Sequence, residues 1–176
     1  PTFDVDGIDA AHKLALLASV AFGTEVDFGS VHVEGIRHVS AEDIAFAEEL
    51  GFRIKLLGIA NQTSDGIEQR VYPCMVPLTA PLEGVFNAVV AEGDAVGTSV
   101  LQGRGAGAGP TASAVISDIA DIARGTILPV FSVPASRLKA ARTVSIENRV
   151  GPYYVRLTVL DRPGVIADVS AALRDE

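Results

Sequence analysis

Three charged residues near the amino end, Asp4, Asp9 and Lys13, have the types needed to move a proton and to hold an ammonium group. Asp9 and Lys13 are spaced i,i+4, so on a helix both project from one face, with the acid amino-terminal to the base, the favoured order. A lysine on an otherwise apolar helix suits proton transfer. Partial burial disfavours its charged form, while a neighbouring carboxylate opposes that effect and fixes its orientation. Carboxylates also suit a substrate that carries an ammonium group. The competing reading is a structural ion pair at a helix edge, common and worth only about 0.2–0.5 kcal/mol.

A second constellation is Gly103-Arg104-Gly105-Ala106-Gly107-Ala108-Gly109-Pro110-Thr111. Glycines between a strand and a helix let backbone N–H groups approach a ligand, and a helix N-terminus favours anionic groups. The run is not a dinucleotide fingerprint, because Ala108 stands where the third glycine is required. It is not a P-loop either, since no Gly-Lys-Ser/Thr follows. Without a ligand, a flexible connection or a tight backbone crossing explains it equally well. Asp161-Arg162-Pro163-Gly164 needs only turn geometry. Cys74, the single cysteine, lies between Pro73 and Met75 and reads as a buried, inert thiol, which fits a reducing, cytoplasmic setting. His12, His32 and His38 show no metal-ligand spacing, so no transition-metal site is expected.

The elements that must position these residues follow from hydrophobic periodicity. Residues 7–22 read as a helix capped at Asp6 or Gly7, apolar around most of its circumference through Ala10, Ala11, Leu14, Ala15, Leu17, Ala18 and Ala21, hence buried, and closed by Gly23. A short strand is expected near 30–33. Ser40 and Asp43 form a capping-box pattern ahead of a helix with Ile44, Ala47 and Leu50 on one face and Gly51 at its end. Four strands follow at 53–60, 67–76, 85–91 and 95–102, joined pairwise by Asp65-Gly66 and Gly93-Asp94. Together they predict a sheet of at least four strands, largely antiparallel, packed on helices. Pro110 opens a helix to about Arg124, with a stripe of Ala114, Val115, Asp118, Ile119 and Ile122. Residues 125–152 read as a linker with one or two short strands. Tyr153–Leu160 alternates as a strand, and Val165–Leu173 is a helix. That last pair is too small to bury a core of its own.

With 176 residues, 48% hydrophobic and 20% charged, the chain has enough apolar material for a packed core. The formal charge of −8, from 22 acidic and 14 basic residues, disfavours nucleic acid. Arg137, Lys139, Arg142, Arg149 and Arg156 are spread along the connecting stretch, as on a solvated linker. No apolar run approaches the roughly 20 residues that span a bilayer, so no membrane partner is expected. Pro1-Thr2-Phe3-Asp4 shows no signal-peptide pattern. It begins inside a motif, as a truncated or cleaved chain would.

Taken in order, these segments resemble homoserine dehydrogenase. The residues that carry the likeness are Asp4–Leu14 (DVDGIDAAHKL), Ile54-Lys55-Leu56-Leu57-Gly58, Val71-Tyr72-Pro73, Val76-Pro77-Leu78, Asn87-Ala88-Val89 and Gly103–Asp118. The likeness spans roughly 1–125. Val155–Leu173 looks like the opening strand and helix of an ACT domain, whose Asp-x-Pro-Gly turn commonly borders amino-acid effector sites.

The resemblance implies an α+β (α/β) fold in three parts: a substrate-binding, catalytic and dimerisation region over 1–125, a linker over 126–152, and an incomplete ACT unit over 153–176. It implies an oxidoreductase that uses NADP or NAD to interconvert L-aspartate 4-semialdehyde and L-homoserine, in threonine, isoleucine and methionine biosynthesis. Lys13 would handle the hydroxyl proton, Asp4 and Asp9 would bind substrate, and Gly107 would touch the cofactor. A cytoplasmic homodimer with threonine as a possible effector is expected, and no metal on this chain. The family's amino-terminal Rossmann domain, a substrate-binding glutamate and an alkali-metal loop are not in the sequence. The polypeptide alone is therefore expected to be inactive. Two other readings are an amino-acid-binding regulatory module of ACT type and a dimerisation module.

Overall fold

The computed structural model describes residues 2–80 and 86–174. The chain begins with a single helical turn, α1 (Thr2–Val5), and enters α2 (Ile8–Phe22) through Gly7, which adopts the left-handed region at φ 78. Glycine is required there for space as well as conformation: a Cβ would lie 3.1 Å from Val71 Cγ1. α2 buries Ala11, Leu14, Ala15, Ala18 and Ser19, a face at helical spacing. Small residues on that face let the helix sit close to the sheet, where Leu14 packs over Gly58.

The expectation that α2 is buried all round is corrected. Leu16 is 50% exposed, Leu17 45% and Val20 43%. One face meets the core and the other stays open.

The sheet under α2 has three strands in the order β1 (His32–Val33), β3 (Gly66–Pro77), β2 (Phe52–Thr63). β2 and β3 form a long antiparallel hairpin in which Thr63 pairs with Gly66, so the tip is Ser64-Asp65, one residue before the expected turn. Thr63 Oγ1 closes it, accepting from Asp65 N at 3.2 Å and donating to Gly66 O at 3.0 Å. β1 runs parallel to β3, pairing His32 with Arg70 and Val33 with Val71. Val71, fully buried, joins Ala11, Leu14, Ala15 and Val31 as the core. Removing its two methyls would forgo roughly 0.8 kcal/mol per buried carbon before any cavity cost.

α3 (Ala41–Glu49) starts at the capping box expected from sequence. Asp43 N donates to Ser40 Oγ at 3.2 Å, and Ser40 N donates back to Asp43 Oδ2 at 2.8 Å. The helix buries Asp43 and Ala47, whereas Ile44 and Leu50 of the expected stripe are exposed at 48% and 61%.

β4 (Phe86–Gly93) and β5 (Gly97–Arg104) pair only with each other among the described residues. The expected single sheet is therefore corrected to two sheets, with largely antiparallel pairing retained. The expected start of β4 at Val85 lies outside the described residues. α4 (Ala108–Ala123) begins before Pro110, which sits in the first turn, where its missing N–H leaves no helical bond unmade. Its stripe is open: Val115 is 53% exposed, Ile119 56% and Ile122 66%. Periodicity identified the apolar face without supplying its cover.

The stretch after α4 folds back on the domain. Ile67 N donates to Arg142 O at 2.8 Å and Val144 N to Ile67 O at 3.0 Å, while Glu25 N donates to Lys139 O at 3.0 Å. Two 3-10 turns, Ala135–Arg137 and Ile146–Asn148, break the run, and the short strands expected here reduce to isolated bridges at Lys139 and Thr143.

The strand expected at Tyr153–Leu160 is corrected as well: among the described residues the segment takes no ladder partner. An alternating pattern becomes a strand only when a neighbour accepts its hydrogen bonds. Instead the segment ties into the start of α3. Tyr154 Oη donates to Asp43 Oδ1 at 3.1 Å, and Arg156 pairs with Asp43 at 3.0 Å and Glu42 at 2.9 Å. Arg149 lies over the rings of Tyr72 and Tyr153, with the guanidinium carbon 5.7 and 5.1 Å from the centroids. These arginines do structural work rather than line a solvated linker. Gly164, at φ 96, turns the chain into α5 (Val165–Arg174).

Asp43 gives this junction a pH signature. Its carboxyl is held below the usual carboxylate range, first by the Ser40 backbone N–H, then by the Ser40 hydroxyl, Tyr154 and Arg156, against the opposing effect of burial. A lowered folded-state value means that the stabilisation is present above the ordinary carboxylate range and is lost as pH falls through the lowered one. Melting curves below neutral pH should show Asp43→Asn declining less steeply towards acid than the parent. Ser40→Ala should cost about 1 kcal/mol at neutral pH. Parallel curves for parent and Asp43→Asn would contradict this.

Candidate active site at the start of α2

Asp9 and Lys13 meet as their spacing predicts, with Lys13 Nζ donating to Asp9 Oδ2 at 2.5 Å across one turn of α2. Their setting differs from expectation. The Lys13 side chain is 69% exposed and that of Asp9 38%. The expected partial burial of Lys13 is corrected: the lysine stands on the open face of α2, away from the Ala11–Leu14–Ala18 face that meets the sheet. Such a pair can present an ammonium to an oxygen atom and a carboxylate to a cation, with the lysine end the more open of the two.

Asp4 sits on α1, exposed, one left-handed turn away from Asp9. Three backbone features fix that turn. Gly7 N donates to Asp4 O at 3.0 Å, Asp6 N to Thr2 O at 2.9 Å, and Ala11 N to Gly7 O at 2.9 Å. The loop at 34–37 then clasps the end of α1: Ile36 N donates to Val5 O at 2.9 Å. Arg37 forks onto Asp6, its Nε on Oδ1 and its terminal nitrogen 3.1 Å from Oδ2. That fork holds the Asp6 carboxyl below its ordinary range and raises Arg37 above its own. Asp6 is thus committed to structure, although it lies between the two candidate aspartates.

His12, read as carrying no metal role, has a different one. Its ring stacks on Phe28 at 4.1 Å between centroids and 4° between planes, and on Phe3 at 5.9 Å and 18°. Sequence reasoning missed this stack and the Asp6–Arg37 fork. Arg37 and Phe28 lie well beyond the reach of local spacing from Asp6 and His12, so no pattern within a turn or two signals either contact.

Gly107 occupies the N-cap of α4 at φ 109, a conformation open to glycine. With Ala108, Thr111, Ala112, Val115 and Ile116 it borders an open, mainly apolar groove. Among the described residues, no hydrogen bond or ion pair links it to Asp4, Asp9 or Lys13. A Cβ at Gly105 would meet the side-chain amide of Asn87, the movable end of a flexible side chain.

Elsewhere, burial pushes the half-buried Cys74 thiol up from its ordinary range, which keeps it protonated and unreactive. Among the described residues no group of three or more His, Cys, Asp or Glu side chains is arranged to hold a metal ion, and no helix is long and apolar enough to cross a membrane.

Comparison with known proteins places this geometry in a context. The homoserine dehydrogenase family profile matches residues 1–120. A homoserine dehydrogenase of Pseudomonas aeruginosa is 42% identical over 184 residues, an alignment covering 99% of this chain and 42% of that protein. The crystal structure of a homoserine dehydrogenase from Thiobacillus denitrificans superposes with a TM-score of 0.82 at 42% identity, over 99% of this chain and 42% of that one. A hyperthermophilic archaeal homoserine dehydrogenase mutant in complex with NADPH superposes at 0.54 with 31% identity, over 71% of this chain and 35% of its own. The chain thus spans about two fifths of the length of the curated relatives it matches.

Proposed function

The chain belongs to the homoserine dehydrogenase family, and from that premise we propose that it carries the substrate-binding and proton-transfer part of an enzyme interconverting L-aspartate 4-semialdehyde and L-homoserine. The observation that carries the proposal is the Lys13–Asp9 pair on the open face of α2, with Asp4 on α1 joined to it through the Gly7 turn. In reduction of the aldehyde, Lys13 as an ammonium donates its proton to the carbonyl oxygen; in oxidation, the neutral amine takes the proton from the hydroxyl. Asp9 accepts a hydrogen bond from Nζ and so aims it. Asp4 and Asp9 hold the substrate's α-ammonium, which fixes the reacting carbon in place.

A nicotinamide cofactor, NADP or NAD, supplies the hydride donor or acceptor when bound. The residues here that fit contact with it are the bare backbone of Gly107 and the small side chains of Ala108, Thr111 and Ala112. They fit an edge contact, not a full nucleotide site. In our reading the rest of the binding surface belongs to the length that the relatives possess beyond this chain, and its closure over α2 shields Lys13 from water.

The same reading makes residues 1–125 the substrate and dimerisation region, 126–152 a linker, and 153–176 the opening of an ACT-type unit. It places the enzyme in the cytoplasm, as a homodimer, in the biosynthesis of threonine, isoleucine and methionine. The resemblance of 155–173 to the opening of an ACT unit supports a regulatory role for that end, with threonine a possible effector.

The test compares the 176-residue chain with a complete enzyme, in which the chain is joined to the remaining length of a relative. Homoserine-dependent reduction of NADP or NAD is expected only from the complete enzyme. Turnover by the isolated chain would overturn the division of labour, and a folded complete enzyme without turnover would overturn the function.

A further inference from the structure

We propose that the Phe3–His12–Phe28 stack is a positioning device that fixes α1, and with it Asp4, relative to the face of α2 carrying Asp9 and Lys13. This deepens the reading above and rests on it. α1 has four residues, too few to be stable alone, since isolated helices below about 12–15 residues are marginal in water. Its orientation must come from contacts.

The end after Asp4 is held by backbone bonds and the Asp6–Arg37 fork. On the other side of Asp4, Phe3 lays its ring on His12. His12 stands one residue before Lys13 and one helical turn after Asp9, so whatever Phe3 grips is part of the site's own helix surface.

The stack does not end at His12. Phe28 covers the imidazole almost coplanar, at 4°, and Phe28 belongs to a turn tied to the sheet. Ser30 N donates to Asp27 Oδ1 at 3.1 Å, and Ser30 Oγ to Asp27 O at 3.1 Å. Gln69 Nε2, from the buried central strand, donates to Ser30 Oγ at 3.0 Å. A series of links thus runs from β3 through Ser30 to Asp27, the chain neighbour of Phe28, and from Phe28 through His12 to Phe3, the residue next to Asp4. Phe3 is 53% exposed and Phe28 38%. The stack lies outside the core, and breaking it opens no core cavity.

The test is steady-state kinetics on the complete enzyme, with melting curves to verify folding. His12→Ala is expected to raise KM for homoserine about 10-fold while kcat changes less than about 3-fold. Phe28→Ala should match it, and Phe3→Leu reads the same effect should either alanine variant fold poorly.

His12→Phe, which keeps a flat ring, should restore most of the lost affinity with a pH–rate profile that overlays the parent's. An unchanged KM in His12→Ala and Phe3→Leu would overturn the proposal. So would failure of His12→Phe to rescue together with loss of one limb of the pH profile, which would make the imidazole a proton carrier. Asp4→Asn separates the two levels. If it leaves KM unchanged, the assignment of Asp4 falls and the stack's role with it; if it raises KM and His12→Ala does not, only the stack's role falls.

Discussion

Lys13→Ala in the complete enzyme is expected to lower kcat for homoserine oxidation by roughly 10²–10⁴-fold, the usual scale of a lost general acid–base group. KM for homoserine should move far less, because the carboxylates of Asp4 and Asp9 remain. The position suits a clean test. Lys13 is 69% exposed and its one described ionic partner is Asp9, and alanine has the highest helix propensity. Stability should therefore stay within about 0.5 kcal/mol of the parent. Lys13→Arg sharpens the argument. It keeps the charge and can still pair with Asp9, but a guanidinium is in practice never deprotonated, so turnover should stay near the alanine level. An arginine variant with near-parental kcat would reduce Lys13 to an electrostatic role.

The second large effect is expected from Gly35→Ala, far from the lysine in sequence. A Cβ at Gly35 would meet Val5 O at 2.4 Å and Asp6 Cα at 2.7 Å. Both obstacles are backbone at the end of α1, so no side-chain rotation relieves them. Either the 34–37 loop or α1 must shift, and the Ile36–Val5 hydrogen bond and the Asp6–Arg37 fork shift with it. Overpacking of this kind costs about 1–3 kcal/mol. Because α1 carries Asp4, KM for homoserine should also rise about 10-fold or more, a 1 Å misplacement being enough for such losses. Gly93→Ala is the control: a Cβ there has nothing within 4 Å, and its stability should change by less than about 0.5 kcal/mol. Calorimetry and kinetics on the pair check both parts. Equal behaviour of the two variants would contradict the packing argument.

What could be read from sequence was local in range. The i,i+4 spacing of Asp9 and Lys13, the Ser40–Asp43 box and the extents of α2 and α4 depend on neighbours within a turn or two, and there the reading and the structure agree closely. The partners of Asp6 and His12 lie in other elements: Arg37 in the loop before α3, Phe28 beyond the end of α2. Periodicity carries no information about such pairs.

The overreadings share one cause. An apolar circumference does not supply its own cover in α2, and an alternating pattern does not supply a strand partner at 153–160. Hydrophobic pattern tells which face seeks company, whereas exposure of Leu16, Ile119 and Ile122 shows that the described residues do not provide it. The family resemblance reached further than periodicity because it rests on residue identity at the DVDGIDAAHKL motif. That motif lies within the matched residues 1–120.

The account turns on where Lys13 Nζ stands when substrate is bound. A crystal structure of the complete enzyme with homoserine and an oxidised nicotinamide cofactor measures this directly. The hydroxyl oxygen should lie about 3 Å from Nζ, within hydrogen-bond reach, with the α-ammonium against the carboxylates of Asp4 and Asp9. A hydroxyl held by some other group, with Nζ still turned to solvent, would contradict it.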